Sequence, residues 1–354
     1  MQTKKVKVMH LLQSNHFSGA ENVVINIMKA FQNDEEIEMI YVSRKGPIEE
    51  ILERENLKYH MLEKFNKKNI NAAVKYIKPN IIHAHDFNAS TRSAQYKYIK
   101  ILSHLHHNPV WLSQFNVKTI IFALALLRIE KVIGVSSSIK EEYIFRRWLE
   151  KKFIVLPNCI NYRRILDKLK FPNTIKESID ILFVGRLSIP KNPLLFLEII
   201  KQLVELNPIL KVGMVGDGEL RGECETYIAI NNLEKNVILF GFQENPYVYM
   251  NKTKFLIMPS KWEGFGLVAV EAMLLRKPVL CSGVGGLKEI VNNECGMICK
   301  SINDYIEGAL ELLENPVLLE EKGNKAYKRA MQYTDVGTYC AQITSIYKDM
   351  VIRE

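Results

Sequence analysis

Short apolar runs recur along the chain, separated by longer polar or amphipathic stretches. In the first half they are VKVMHLL (6–12), IEMIYVS (37–43), NIIHAH (80–85), IKILSHL (99–105), KVIGVS (131–136) and KFIVLP (152–157). Runs this short and rich in β-branched residues predict strands, and the helical spacing of apolar positions over 20–31 predicts a helix. Strands that alternate with helices predict parallel sheets covered on both faces.

The alternation pauses through LDKLKFPNTIKESID, which is polar and broken by Pro172. It restarts with DILFVGRL (180–187), ILKVGMVG (209–216), NVILFG (236–241), KFLIMPS (254–260) and KPVLCS (277–282). Residues from about 301 onward read as helical throughout. The pattern therefore predicts an α/β chain of two doubly wound parallel-sheet domains, 1–165 and 166–335, facing a central cleft. A length of 354 residues fits two cores, since single cores stop growing near ~250–300 residues. In such folds ligands lie at the C-terminal ends of strands, so chemistry is expected in the loops that follow them.

Composition narrows the class. The longest apolar run, Ile120 to Leu127, is far short of a membrane span of ~20 residues. The basic-then-apolar start reads as a first strand, not a leader. Six scattered cysteines are no disulfide framework, and Cys295 with Cys299 lacks a second ligand pair for zinc. The expected setting is cytoplasmic. The net charge of +9 is uneven: residues 1–170 carry +12 and the remainder −3. A basic first half suits an anionic partner or a solvated surface. Charge alone does not indicate nucleic acid, because no basic-aromatic motif accompanies it.

Three loops carry candidate chemistry. In FVGRLSIPKNP (183–193), Arg186 and Lys191 follow a strand and precede a helix, where free N–H groups and a dipole of about +0.5 charge favour an anion. In MVGDGELRGECE (214–225), a Gly-Asp-Gly turn joins a strand to a helix, which on its own says little. In SKWEGFGLVAVEAM (260–273), Gly264 and Gly266 free backbone N–H groups, and Glu271 falls inside an apolar helix. A buried carboxylate needs a partner, either a hydroxyl-bearing ligand such as a ribose or a neighbouring basic side chain.

All eight histidines precede residue 108, with His83 and His85 in one cluster and His104, His106 and His107 in another. Their places at strand ends suit substrate contact; a zinc site is the lesser reading. No Asp-x-Asp triplet occurs to hold a divalent ion on a diphosphate.

Taken together, FVGRLSIPKNP, VGDGELR, VILFGF and MPSKWEGFGLVAVEAMLLRKPVLCSGVGGLKEIV, with looser matches at FSGAENVV, IIHAHD and LPNCI, resemble glycosyltransferase family 4 over nearly the whole length. The resemblance implies the GT-B architecture of two Rossmann-like domains and a retaining, metal-independent enzyme without cofactor. Its donor would be a nucleotide diphosphate sugar, UDP favoured. Arg186 and Lys191 would hold the pyrophosphate, Glu263 the sugar, and Glu271 the ribose. Phe265, Gly266 and Leu267 would supply backbone contacts, Phe240 and Gly241 would lie beside the base, and Gly19 would approach the phosphates. His85 would contact the sugar, with His83 the competing candidate. The first domain would take a saccharide or lipid-linked acceptor in capsular, exopolysaccharide or lipopolysaccharide assembly, and the helix near 336–354 would pack back on that domain.

Two departures from the family pattern stand out, Ser18-Gly19 in place of a glycine pair and Pro157-Asn158-Cys159 in place of Pro-Asn-Gly. Peripheral contact with an anionic membrane would use 115–131 and 143–152, although the first of these also reads as an ordinary core helix. The rival readings are a nucleotide-sugar epimerase, for which Asp86 is the nearest carboxylate, and a catalytically silent binding subunit.

Overall fold

The structure is a computed structural model, and it describes residues 5–17, 19–170 and 178–351. Ser18 and residues 171–177 of the polar connector, Pro172 among them, lie outside the described residues. The chain divides into two compact units, residues 1–159 with 336–354, and residues 160–335.

In the first unit seven strands form one parallel sheet: β1 (Val6–Leu11), β2 (Ile37–Arg44), β3 (Tyr59–Leu62), β4 (Ile81–Ala84), β5 (Lys100–Leu105), β6 (Lys131–Gly134) and β7 (Phe153–Val155). Their spatial order is β3-β2-β1-β4-β5-β6-β7. The order reverses between β1 and β4, where His10 stands opposite His83. One face of the sheet buries Met9, Leu11, Val42, Ile82 and Ala84 against Ile70, Ala73 and Ile77 of the helix Lys67–Ile77. The helix Val336–Val351 also belongs to this unit, and Lys348 pairs with Glu36 at 2.7 Å.

The second unit holds β8 (Ile179–Val184), β9 (Val212–Val215), β10 (Val237–Gly241), β11 (Thr253–Met258), β12 (Val279–Ser282) and β13 (Gly296–Cys299). The order β10-β9-β8-β11-β12-β13 reverses between β8 and β11. The helix Pro193–Leu206 starts with proline at its first turn, where no N–H is needed. It buries Phe196, Leu197, Ile200 and Leu203 on one stripe against Ile181, Phe183, Val212 and Phe255. Each such side chain contributes about 1.5–3 kcal/mol when buried, and Phe196→Ala would cost about 3–5 kcal/mol.

Two strands escaped the sequence pattern. β3 is YHML and β13 is GMIC, each four residues long and each at a sheet edge. An edge strand pairs on one side only and needs no continuous apolar run. The segment 115–131 also differs from an ordinary core helix. Its helix Val117–Leu126 buries Thr119, Phe122, Ala123, Ala125 and Leu126, while Val117, Ile121, Leu124 and the following Leu127 are exposed. No helix among the described residues is long and apolar enough to cross a membrane.

Candidate functional site

Reversal of strand order separates the loops after the two central strands of a sheet and leaves a crevice there. In the second unit those loops follow β8 and β11, and they carry Arg186, Lys191 and Glu263. They are tied together by the backbone, Lys261 N–H donating to Pro190 O at 2.8 Å. Across this junction the Lys191 ammonium pairs with the Glu263 carboxylate. The Lys191 stem lies over Gly185, whose missing Cβ would meet its Cγ at 3.6 Å. Arg186 points to the more open side, where it pairs with Glu219 at 3.3 Å, both side chains largely exposed.

Glycines hold these loops in place. A Cβ on Gly216, at φ +139°, would sit 1.9 Å from Gly185 O, so the turn after β9 presses directly on the turn carrying Arg186. Likewise a Cβ on Gly285, at φ +52°, would fall 1.7 Å from Glu263 O. Gly286 N–H donates to Gly264 O at 3.0 Å. The Gly285-Gly286 pair therefore props the Glu263 loop from beneath, a role the sequence reading did not assign.

Gly266, in the left-handed conformation at φ +103°, starts the helix Leu267–Leu274. Phe265 is buried and meets Tyr333 edge-on at 5.3 Å between ring centres. Glu271 lies in the second turn, only 9% exposed. Its carboxylate accepts a hydrogen bond from Tyr247 Oη at 3.0 Å. Burial raises its pKa to about 7, against the opposing pull of the Tyr247 hydroxyl and of Lys168 and Arg164. A group poised to ionise near neutrality can accept from paired hydroxyls, as a ribose would present. Tyr247 went unnoticed in the sequence, because its only link to Glu271 is spatial. Phe240 packs on Tyr249 at 4.6 Å, and Gly241, at φ +67°, accepts from Gly216 N–H at 2.8 Å. Cys295 and Cys299 belong to no ligand cluster among the described residues.

In the first unit the reversal point lies between β1 and β4, and there five histidines come together. His10 is on β1, His83 on β4 with His85 just beyond it, and His104 on β5 with His106 just beyond it. Two hydrogen-bonded chains run through them. One links Tyr347 Oη to His83 Nδ1 at 2.7 Å and His83 Nε2 to His104 Nδ1 at 3.2 Å. The other links His10 Nδ1 to His85 Nε2 at 2.8 Å and His85 Nδ1 to His106 Nε2 at 3.0 Å. Burial holds all five in the neutral form, with His10 and His106 lowered to about 3 and His83, His85 and His104 well below their ordinary value.

Each chain ends on ring nitrogens without a partner, namely His10 Nε2, His104 Nε2 and His106 Nδ1. An unpaired buried polar atom costs about 1–3 kcal/mol. The sequence reading missed His10, which its position at the end of β1 could have flagged. Asp86, the carboxylate an epimerase would need, is used locally: it caps the helix Phe87–Ser93 through Ala89 N–H at 2.6 Å and holds Gln13 N–H at 3.2 Å. Gly19 is the first residue of the helix Gly19–Ala30 and is exposed.

Comparison with known proteins adds to this picture. Residues 17–164 match the model of Glycosyltransferase Family 4, and residues 167–330 match that of Glycosyl transferases group 1. A Campylobacter jejuni protein, N-acetylgalactosamine-N,N'-diacetylbacillosaminyl-diphospho-undecaprenol 4-alpha-N-acetylgalactosaminyltransferase, is 33% identical over 52% of this chain and 51% of its own. The Escherichia coli UDP-Gal:alpha-D-GlcNAc-diphosphoundecaprenol alpha-1,3-galactosyltransferase is 28% identical over 69% of this chain and 64% of its own. The matches thus span about half to two thirds of these relatives.

Among solved structures, Anabaena HepE in complex with UDP and glucose superposes with a TM-score of 0.84 at 21% identity, covering 97% of this chain and 100% of that one. Sucrose-phosphate synthase from Thermosynechococcus elongatus does so with a TM-score of 0.81 at 17% identity, covering 99% and 100%. With each sheet doubly wound, the fold shared with these structures, and one family model on either half, the chain belongs to the family 4 glycosyltransferases of GT-B fold.

Proposed function

We propose that this protein is a retaining, metal-independent glycosyltransferase that moves a sugar from a nucleotide diphosphate, UDP favoured, to an acceptor hydroxyl. The observation that carries this reading is the grouping of Lys191, Glu263 and a buried, near-neutral Glu271 around one strand-order reversal. Lys191 and Arg186 would face the diphosphate, with the donor's negative charge competing for the lysine that Glu263 now holds. Glu263 would then be free to accept from sugar hydroxyls. Glu271 would take the ribose, Phe240 and Gly241 the base, and the backbone of Phe265, Gly266 and Leu267 the phosphate side.

Charge develops chiefly on the leaving diphosphate, so fixed cations there supply the largest stabilisation. The leaving phosphate oxygen can take the acceptor proton on the same sugar face, which needs no side-chain nucleophile. Two cations and no Asp-x-Asp triplet support a reaction that needs no divalent ion.

The acceptor is proposed to be a saccharide or lipid-linked intermediate of cell-surface polysaccharide or glycoconjugate assembly. Two relatives whose names include undecaprenol diphosphates support this class. His85 is the proposed sugar-facing histidine, because it lies beyond the end of β4 while His83 is inside the strand. Contact with the inner face of a membrane is supported by the exposed Phe115, Val117, Ile121, Leu124 and Leu127, beside the exposed cations Lys118 and Arg128.

The test is a thermal-shift screen against UDP-, GDP-, ADP- and dTDP-sugars, followed by transfer to a diphospholipid-linked sugar. Selective stabilisation by one nucleotide-sugar, with product formed, is the expected result. Absence of any shift would remove the reading.

A further inference from the structure

The five-histidine cluster offers more than a set of hydrogen bonds. One ring nitrogen from each of His85, His104 and His106 lies within 4.8 Å of the other two. A tetrahedral ion bound at 2.0–2.1 Å places its nitrogen ligands about 3.3–3.4 Å apart, and His85 Nδ1 already stands 3.0 Å from His106 Nε2. The ring centres of His104 and His106 are 4.1 Å apart, so their side chains must part slightly to admit an ion.

For His85 and His104 the remaining contacts fit an outer shell, while the second nitrogen of His106, Nδ1, has no partner. Ligand imidazoles hold an ion by one nitrogen and are oriented by a hydrogen bond from the other. With protons placed consistently, His104 donates Nδ1–H to His83, and His83 donates Nδ1–H to Tyr347 Oη. That leaves the His104 Nε2 lone pair free, the atom that is buried without a partner. In the same way His85 donates Nε2–H to His10 and turns its Nδ1 lone pair toward His106. His106 is the one partly exposed member of this triple, whereas the alternative triple His10, His83 and His85 is wholly buried.

We infer that His85, His104 and His106 form a three-imidazole site for a borderline transition-metal ion of the zinc class, with His10, His83 and Tyr347 as its outer shell. Three neutral nitrogens suit zinc, cobalt, nickel or copper and not magnesium or calcium. The fourth position is left to water or an anion. The ion is not a donor-phosphate clamp. Where His85 faces the sugar, as proposed above, occupancy fixes its ring and should depress transfer; the binding itself does not depend on that reading.

The full chain should be stripped with a chelator, loaded with Zn²⁺ or Co²⁺, desalted, and measured for metal by mass spectrometry and for cobalt by its visible spectrum. One ion per chain and strong tetrahedral cobalt bands are expected, with no retention of Mg²⁺. His106→Asn, at the partly exposed position, should weaken binding at least about tenfold, and His10→Asn about 10–100-fold as an outer-shell change. Folding is checked by circular dichroism. Sub-stoichiometric uptake, octahedral cobalt bands, or affinity unchanged in folded His106→Asn would overturn the site. Loss of transfer activity without loss of metal would bear only on the enzymatic reading.

Discussion

Lys191 and Glu263 are 72 residues apart in sequence and paired in the fold, joining the loops after β8 and β11. Each is the other's counter-charge at the point where a diphosphate sugar is proposed to bind. Arg186→Ala combined with Lys191→Ala should lower kcat/KM by about 10²-fold or more, as for other preorganised charge contacts. Near-normal turnover in steady-state assays would refute the pyrophosphate role.

Glu271 should make donor binding depend on pH. Burial raises its pKa to about 7, so the carboxylate proposed to accept from ribose hydroxyls forms only as pH passes that value. Nucleotide affinity measured by calorimetry should rise between pH 6 and 8 and level off above, and Glu271→Gln should flatten the profile. The stability effect has the opposite sense. A folded-state pKa above the unfolded one favours the folded state below about 4.5, and this contribution is lost as pH rises toward 7. Tyr247→Phe, which removes a hydrogen bond to the ionised form, should move the midpoint upward.

Gly285→Ala should be costly even though it adds one methyl group. The left-handed backbone and the approach of Glu263 O both oppose it, and denaturant unfolding should show a loss of about 2 kcal/mol or more. Gly222→Ala is the control: it lies in the helix Arg221–Ile230, with nothing within 4 Å of the added atom. That change should stabilise by about 0.5–1 kcal/mol.

Transfer activity should survive excess chelator, since cations of the chain itself face the proposed diphosphate. Loss of turnover restored by Mg²⁺ or Mn²⁺ would contradict metal independence.

Ile121→Glu with Leu124→Glu alters only exposed positions of the helix Val117–Leu126. Sedimentation with anionic vesicles should fall by about tenfold or more while thermal stability stays constant, because apolar area leaves water on membrane contact. Equal sedimentation of the variant would exclude this face as the contact.

The sequence by itself determined the local elements and the chemistry-bearing loops. The central strands were readable because buried parallel strands must be apolar on both faces, so VKVMHL, IDILFV and TKFLIM stand out. Arg186 and Lys191 were marked by a loop between a strand and a helix, and Glu271 by its place inside an apolar helix, which are local signals, whereas Glu263 was marked by the family resemblance. What pairs with what was decided only by tertiary structure. Strand order placed β1 beside β4 and β8 beside β11, and that order arises from long-range sheet pairing with no local signature. It brought His10 to His85, Lys191 to Glu263 and Tyr247 to Glu271. The edge strands β3 and β13 were invisible for the related reason that partners, and not their own residues, make them strands.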